Sequence, residues 1–181
     1  MSFNPSETII LSQQKKDQIY HKLHKRHQIS FTKRNLMFIK EHELSKEHVI
    51  STLTYGKPVY LYLTSESGKP CIVIIDKINN PSDKVEMTRV RMQWDSKAWK
   101  SDCLIDGELI TTNLGGKILL ARDILVENGS NVRKKLLERY QQLVDFSGYF
   151  RPYPEMDCCH FQVAKITTYP KFKTFLHEFI P

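Results

Sequence analysis

The spacing of apolar positions changes near residue 50. Before it they recur every three to four residues, the period of a helix. Ile19, Tyr20, Leu23 and His27 lie behind Ser12, a residue type that caps helix N-termini, and Leu36 and Ile39 follow Thr32 in the same way. Residues 1–48 therefore read as a helical N-terminal segment with two amphipathic surface helices, and residues 49–181 as a second region with the pattern of strands. Pro58 to Thr64 (PVYLYLT) and Cys71 to Asp76 (CIVIID) are strand-like runs joined by the turn-rich link Ser65 to Lys69, which predicts an antiparallel hairpin. Val85 to Met92 alternates apolar and polar side chains in an imperfect register. Leu104 to Ile110 and Ile118 to Val126 predict a second hairpin across Gly115-Gly116. Asn128-Gly129 ends that strand, and Ser130 or Asn131 then caps a helix carrying Val132, Leu136, Leu137, Tyr140 and Val144 on one stripe. His160 to Thr168 reads as a further strand and Lys171 to Phe179 as a terminal helix. Strands outnumber helices and do not alternate singly with them. The expected class is α+β, antiparallel sheets with flanking helices, and not a doubly wound fold.

Composition narrows the class without changing it. With 40% hydrophobic and 26% charged residues among 181, the chain has the balance of a soluble globular protein. No apolar run approaches the roughly 20 residues that cross a bilayer, and Met1 to Asn4 lack the basic and apolar regions of a leader, so an intracellular place, nucleus or cytoplasm, and no membrane are expected. Cys71, Cys103, Cys158 and Cys159 are too few and too irregular for a disulfide scaffold and read as free thiols. Five of the seven His fall in the first 50 residues, but His21, His24 and His27 drift around a helix, and adjacent Cys158 and Cys159 are expected to point apart beside His160. No metal site is expected from either group. There is no Gly-x-Ser-x-Gly elbow for a hydrolase. The net charge of +7 favours anionic partners such as nucleotides or RNA.

Chemistry concentrates in Cys103 to Leu109, CLIDGEL. Asp106 and Glu108 have like parity along a strand and so share a face. Such a pair can hold a ribose hydroxyl or a magnesium ion, or it can be two solvated acids at a strand end. Asp106 to Leu109, Asp123 to Leu125, Asn128-Gly129 and Leu136 to Arg139 together resemble the central motifs of the mRNA capping guanylyltransferases, in the covalent nucleotidyltransferase superfamily. Upstream, Ser30-Phe31 followed by Leu36 is similar to the family's pre-catalytic segment, and Ile75-Asp76-Lys77 stands where the family commonly has an aspartate-arginine pair. The resemblance implies a nucleotidyltransferase-like domain, here without the OB-fold domain that follows in the family. It implies GTP with Mg2+ as ligand and cofactor.

The family attacks the α-phosphate with the lysine of a Lys-x-Asp-Gly motif. Aligned on the glycine and the strand PVYLYLT, that motif falls on Leu53-Thr54-Tyr55-Gly56. Leucine has no lone pair for a phosphoramidate, and Lys57 stands about 13 Å further along a strand, so no catalytic residue is expected. The snurportins, similar in having lost this lysine, bind the trimethylguanosine cap and have a Gly-Lys pair comparable to Gly56-Lys57. The resemblance thus implies binding of a guanine nucleotide, an RNA cap or an RNA 5′ end by Lys57, Lys77, Asp106, Glu108 and Asp123. Tyr55, Trp94 and Trp99 are candidates to stack on the base, or the Trp side chains belong to a core or sheet edge. Arg89 and Arg91 share a strand face that could meet phosphates or solvent. The alternatives are an active guanylyltransferase completed by another chain or segment, and an interaction module whose filled cleft leaves a surface for a capping subunit such as a methyltransferase.

Overall fold

The structure is a computed structural model and describes residues 8–31, 49–51, 54–66, 68–78, 84–95, 102–151, 157–168 and 171. The chain divides into two compact units, residues 1–33 with 56–163, and residues 34–55 with 164–181. The division expected after residue 48 falls at the edge of the segment 32–48, which lies outside the described residues. So do the helix expected behind Thr32 and all of the expected terminal helix except Lys171. The fold is α+β, with open, predominantly antiparallel sheets and, among the described residues, two helices. No helix among the described residues is long and apolar enough to cross a membrane.

The first unit opens with β1 (Thr8–Ile10) and α1 (Gln13–His21), the latter prolonged by one π turn over Lys22–Arg26. As the sequence predicts, Ser12 caps α1, its hydroxyl accepting from the Lys15 amide at 3.3 Å. The sheet that follows uses β3 (Lys57–Glu66), β4 (Lys69–Asp76), β5 (Met87–Val90), β6 (Cys103–Thr111), β7 (Lys117–Glu127) and β8 (Ser130–Asn131). After α2 (Leu136–Ser147), β9 (His160–Val163) returns to it. Strand order is β1-β5-β4-β3-β6-β7-β8, antiparallel throughout, with β9 joining the outer edge of β7 in parallel.

Both predicted hairpins form, β3 with β4 and β6 with β7. The first pair is apolar without interruption because both of its faces are covered. Val59, Leu61, Leu63, Ile72 and Ile74 join Leu143 and Phe146 of α2 in one core, while Tyr60, Tyr62, Val73 and Ile75 join Ile19 of α1, Leu23 and Phe31 in another. The same double coverage explains the imperfect alternation of β5, where Met87 serves the second core and Val90 the first. The strands β3 and β4 run on to Glu66 and Lys69, leaving a connection of two positions with Gly68 at φ 76°.

Two expectations are corrected. Asn128 and Gly129 do more than end a strand: with φ of 48° and 76° they form a two-residue turn that folds β8 back on β7, pairing Glu127 with Ser130. Ser130 and Asn131 are thereby spent in a strand, and the Asn131 side chain clasps His27 through its ring Nδ1 and its carbonyl. The helix consequently starts at Leu136 behind Lys135, not at Asn131. Its buried side chains are Leu143 and Phe146, while Leu136, Leu137 and Val144 of the predicted stripe are exposed.

In the second unit β2 (Val49–Ser51) pairs antiparallel with β10 (Ile166–Thr168), and the Ser51 hydroxyl donates to the Lys165 carbonyl at 3.1 Å. The single strand expected over His160 to Thr168 is therefore two strands in different sheets.

Candidate functional site

Register brings the acidic motif and the first hairpin together. Asp106 stands opposite Tyr60 on one side and Asp123 on the other, Glu108 opposite Pro58 and Leu120, and Asp76 opposite Val59. Along β6 from Ile105 burial alternates, with Ile105, Gly107 and Leu109 buried and Asp106, Glu108 and Ile110 half-buried. The two carboxylates thus share the more open face. Gly107 is required where it stands, since a Cβ there would meet the Leu120 carbonyl oxygen at 2.6 Å. Gly56 is also closely approached, its missing Cβ 3.0 Å from the Glu108 Cβ and 2.9 Å from Ile110.

Each of these carboxylates meets a basic side chain of the same chain. Lys77 binds Asp106, and its ammonium lies 4.4 Å from the centre of the Tyr60 ring. Lys57 binds Asp76. Arg122 donates from Nε to Glu108 at 3.1 Å. Arg139 grips both oxygens of Asp123 at 2.8 Å and donates from Nη1 to the Lys134 carbonyl at 2.6 Å. The register shifts in β7 skip Arg122 and Leu125, so Arg122 is a bulge residue displaced from the ladder.

The surroundings of Lys77 include the predicted pre-catalytic segment. The Tyr60 hydroxyl donates to the Ser30 carbonyl at 2.7 Å, Phe31 packs edge-on against the Tyr60 ring, and the Ile78 amide donates to the Phe31 carbonyl at 2.8 Å. Burial pushes the Asp76 carboxyl above its ordinary value, and Lys57 offsets only part of that rise. The Asp123 carboxylate raises the Arg139 guanidinium.

Of the five predicted residues, Lys77, Asp106, Glu108 and Asp123 are brought together by register, with Lys77 and Asp106 in direct ion pair; Lys57, opposite Leu109 and of like parity with Val59, lies on the other face of the sheet with Asp76. Trp94 forms a bridge with Phe150 and packs against the first core. Tyr55 belongs to the second unit and is 97% exposed. Leu53 and Trp99 lie outside the described residues. Arg89 donates to Glu66 at 3.0 Å, and Arg91 is exposed.

Reading the sequence missed Asp76, Arg122 and Arg139 as partners of the site. Asp76 and Arg139 stood inside quoted motifs, whereas nothing in the sequence signals the bulge that turns Arg122 toward Glu108. It also missed Asp102, 6% exposed, which accepts from the Thr64 hydroxyl at 2.8 Å and pairs with Lys22 beyond α1. An open cleft of about 250 Å³ between α1 and β5, walled by Lys16, Tyr20, Lys84 and Met87 among others, contains none of the predicted residues.

The expectation that Cys158 and Cys159 point apart is corrected. They lie in a bend before β9, not in a strand, and their sulfurs are 3.6 Å apart. Burial pushes the Cys103 thiol up to about 11, and contact with Cys158 together with burial raises the Cys159 thiol. Among the described residues no group of three or more His, Cys, Asp and Glu is arranged to hold a metal ion. No protein-family model matches the chain, and no curated protein matches it significantly.

Proposed function

We propose that the chain is a catalytically degenerate, guanylyltransferase-like domain that binds a guanine nucleotide, an RNA cap or an RNA 5′ end without covalent chemistry. The observation that carries the reading is that Lys77, just after β4, and Asp106 and Glu108 of β6 lie on one face of the sheet, with the Lys77 ammonium against the Tyr60 ring. In this reading Lys77 turns from Asp106 to a phosphate while the Tyr60 ring stays beneath its ammonium, and the released carboxylate takes a ribose hydroxyl. Asp106 and Glu108 do not fit a magnesium ion as they stand, because Lys77 and Arg122 already engage them, so no metal-dependent step is assigned.

A second reading, an interaction module with a filled cleft, is favoured by the internal pairing of every one of these carboxylates and by the exposed Leu136, Leu137 and Val144 on α2. A capping subunit such as a methyltransferase would be its partner.

Incubation with radioactive GTP and a divalent metal separates these readings from an active enzyme, because Leu53 at the nucleophile position predicts no acid-labile protein-GMP adduct. Melting is then followed with GTP, a methylated cap analogue and a short capped RNA. A ligand at about 100 times its Kd adds roughly 2.7 kcal/mol. Lys77→Ala and Glu108→Ala should weaken binding by about 5- to 150-fold through the hydrogen bonds they remove. Unshifted melting with all three ligands refutes the nucleotide reading and leaves the interaction module. An adduct on any lysine, Lys57 included, refutes both.

A further inference from the structure

The bend before β9 carries a group of sulfur atoms that the nucleotide-binding reading does not use. Segment 157–159 is fastened to segment 91–93 by the Cys158 amide, which donates to the Arg91 carbonyl at 2.9 Å, and by the Gln93 amide, which donates to the Asp157 carboxylate at 2.6 Å. This clasp sets Cys158 Sγ 3.6 Å from Cys159 Sγ, and Cys159 Sγ 3.8 Å from Met92 Sδ. All three residues are buried, each less than one tenth exposed. Beside Met92 and Cys159 lies a cavity of about 20 Å³, with Arg151, Asp157 and His160 also on its wall, room for one atom of the size of a water oxygen or a metal ion.

The two thiols are badly placed to bond to each other. Neighbouring Cα atoms in a trans chain stand about 3.8 Å apart, short of the roughly 4.4–6.8 Å that disulfides span. A third atom shared between the sulfurs meets no such obstacle. With metal–sulfur bonds of about 2.3 Å in a trigonal site, neighbouring sulfurs are about 4 Å apart, close to the Cys158–Cys159 and Cys159–Met92 separations of 3.6 and 3.8 Å. Two thiolates and a thioether are soft donors that disfavour ions taking oxygen, and a set of three sulfurs falls short of the four ligands of a structural zinc site, which leaves monovalent copper.

We propose that Cys158, Cys159 and Met92 form a Cu(I) site. Binding exchanges the two thiol protons, which leave to solvent, for one Cu+ held by two thiolates and the thioether; copper keeps its oxidation state. The site becomes singly negative, with the Arg151 guanidinium and the Asp157 carboxylate both on the cavity wall.

The test is an anaerobic titration of the reduced full chain with Cu(I) held by the chelator bicinchoninate, whose colour falls as copper transfers. One copper per chain is expected, and X-ray absorption of the loaded protein should show three sulfur neighbours at about 2.3 Å and no nitrogen. Met92→Leu keeps volume and hydrophobicity. It should lower affinity by at least about tenfold, the loss already produced when only an outer partner of a metal ligand is removed. Cys159→Ser should abolish transfer. The proposal is overturned by failure of the wild type to take copper from the chelator, by a nitrogen in the copper shell, by unchanged affinity in Met92→Leu, or by Zn(II) displacing Cu(I) at equal concentration. The absorption measurement uses the wild type alone, so a Cys159→Ser chain that fails to fold does not shelter the idea.

Discussion

Lys77→Met removes the ammonium between Asp106 and Tyr60 while keeping most of the alkyl chain in place. The Lys77 side chain is 10% exposed and that of Asp106 19%, so the change leaves a carboxylate largely out of water without its partner. Breaking a fully buried pair from one side costs about 3–5 kcal/mol. The fifth of Asp106 that water still reaches reduces this, and loss of the contact with the Tyr60 ring restores about 1 kcal/mol, for an expected destabilisation of about 3 kcal/mol. Urea unfolding of a domain of this size has a slope of about 1–3 kcal/mol per molar, so the midpoint should fall by about 1–3 M at constant slope. The decisive measurement is the cycle with Asp106→Asn. If the penalty comes from a stranded charge, the double variant strands none, and its loss should be smaller than the sum of the single losses by about 2 kcal/mol. Additivity within about 0.5 kcal/mol would refute the reasoning, because it would mean that the two side chains contribute through packing independently of each other.

Two further predictions concern the frame of the site. Burial pushes the Asp102 carboxyl up, but Lys22 and the Thr64 hydroxyl outweigh it and hold the group below the usual carboxylate range. A carboxyl depressed in the fold contributes stability above its unfolded value near about 4 and loses it as pH falls through the folded value, so the stability gap between wild type and Asp102→Asn should be flat from about pH 5 to 7 and close below about pH 4; a gap that is the same at pH 6 and pH 2.5 in urea melts sinks this account. Gly107→Ala should cost about 1–3 kcal/mol, since the atom 2.6 Å from the new Cβ is a backbone oxygen that cannot rotate away, and an unchanged thermal midpoint would show that β7 yields freely.

The parts of the fold legible in the sequence are those where one periodicity dictates one element. PVYLYLT and CIVIID could only be covered on both faces or pair as a buried hairpin, and both are true of β3 and β4. Ser12 was legible because a cap acts on its own neighbours. The α2 stripe was misread because Leu136, Leu137, Tyr140 and Val144 repeat at helical spacing as well as any buried set does, and only the sheet decides that Leu143 and Phe146 are the ones covered. The Asn128-Gly129 turn was visible as a breaker, yet its positive φ at both positions makes it a hairpin, which takes Ser130 and Asn131 away from the helix. In the site, the acidic pair on one face followed from parity. The cations opposite did not, because Lys77, Arg122 and Arg139 reach their carboxylates across strands, from a bulge and from a helix. The approach of Cys158 to Cys159 depends on a bend that no periodicity marks.

The pairing of every acidic group in the site with a cation sets a condition on any ligand. A phosphate that draws Lys77 away gains a charge-assisted hydrogen bond of about 1.5–3 kcal/mol, and it strands Asp106 at a cost of similar size. Phosphate alone therefore comes out near even. A ligand that also offers a hydroxyl to the freed carboxylate replaces both halves of the ion pair at once, and the second hydrogen bond to a charged group tips the exchange in its favour. Phosphate and hydroxyl a few ångströms apart on one molecule is the chemistry of a nucleotide. The Tyr60 ring adds to this asymmetry, because it holds the ammonium from below in either partnership and so keeps Lys77 near the site while its oxygen partner changes. Asp106 and Glu108 remain balanced within the fold whether or not a ligand is present.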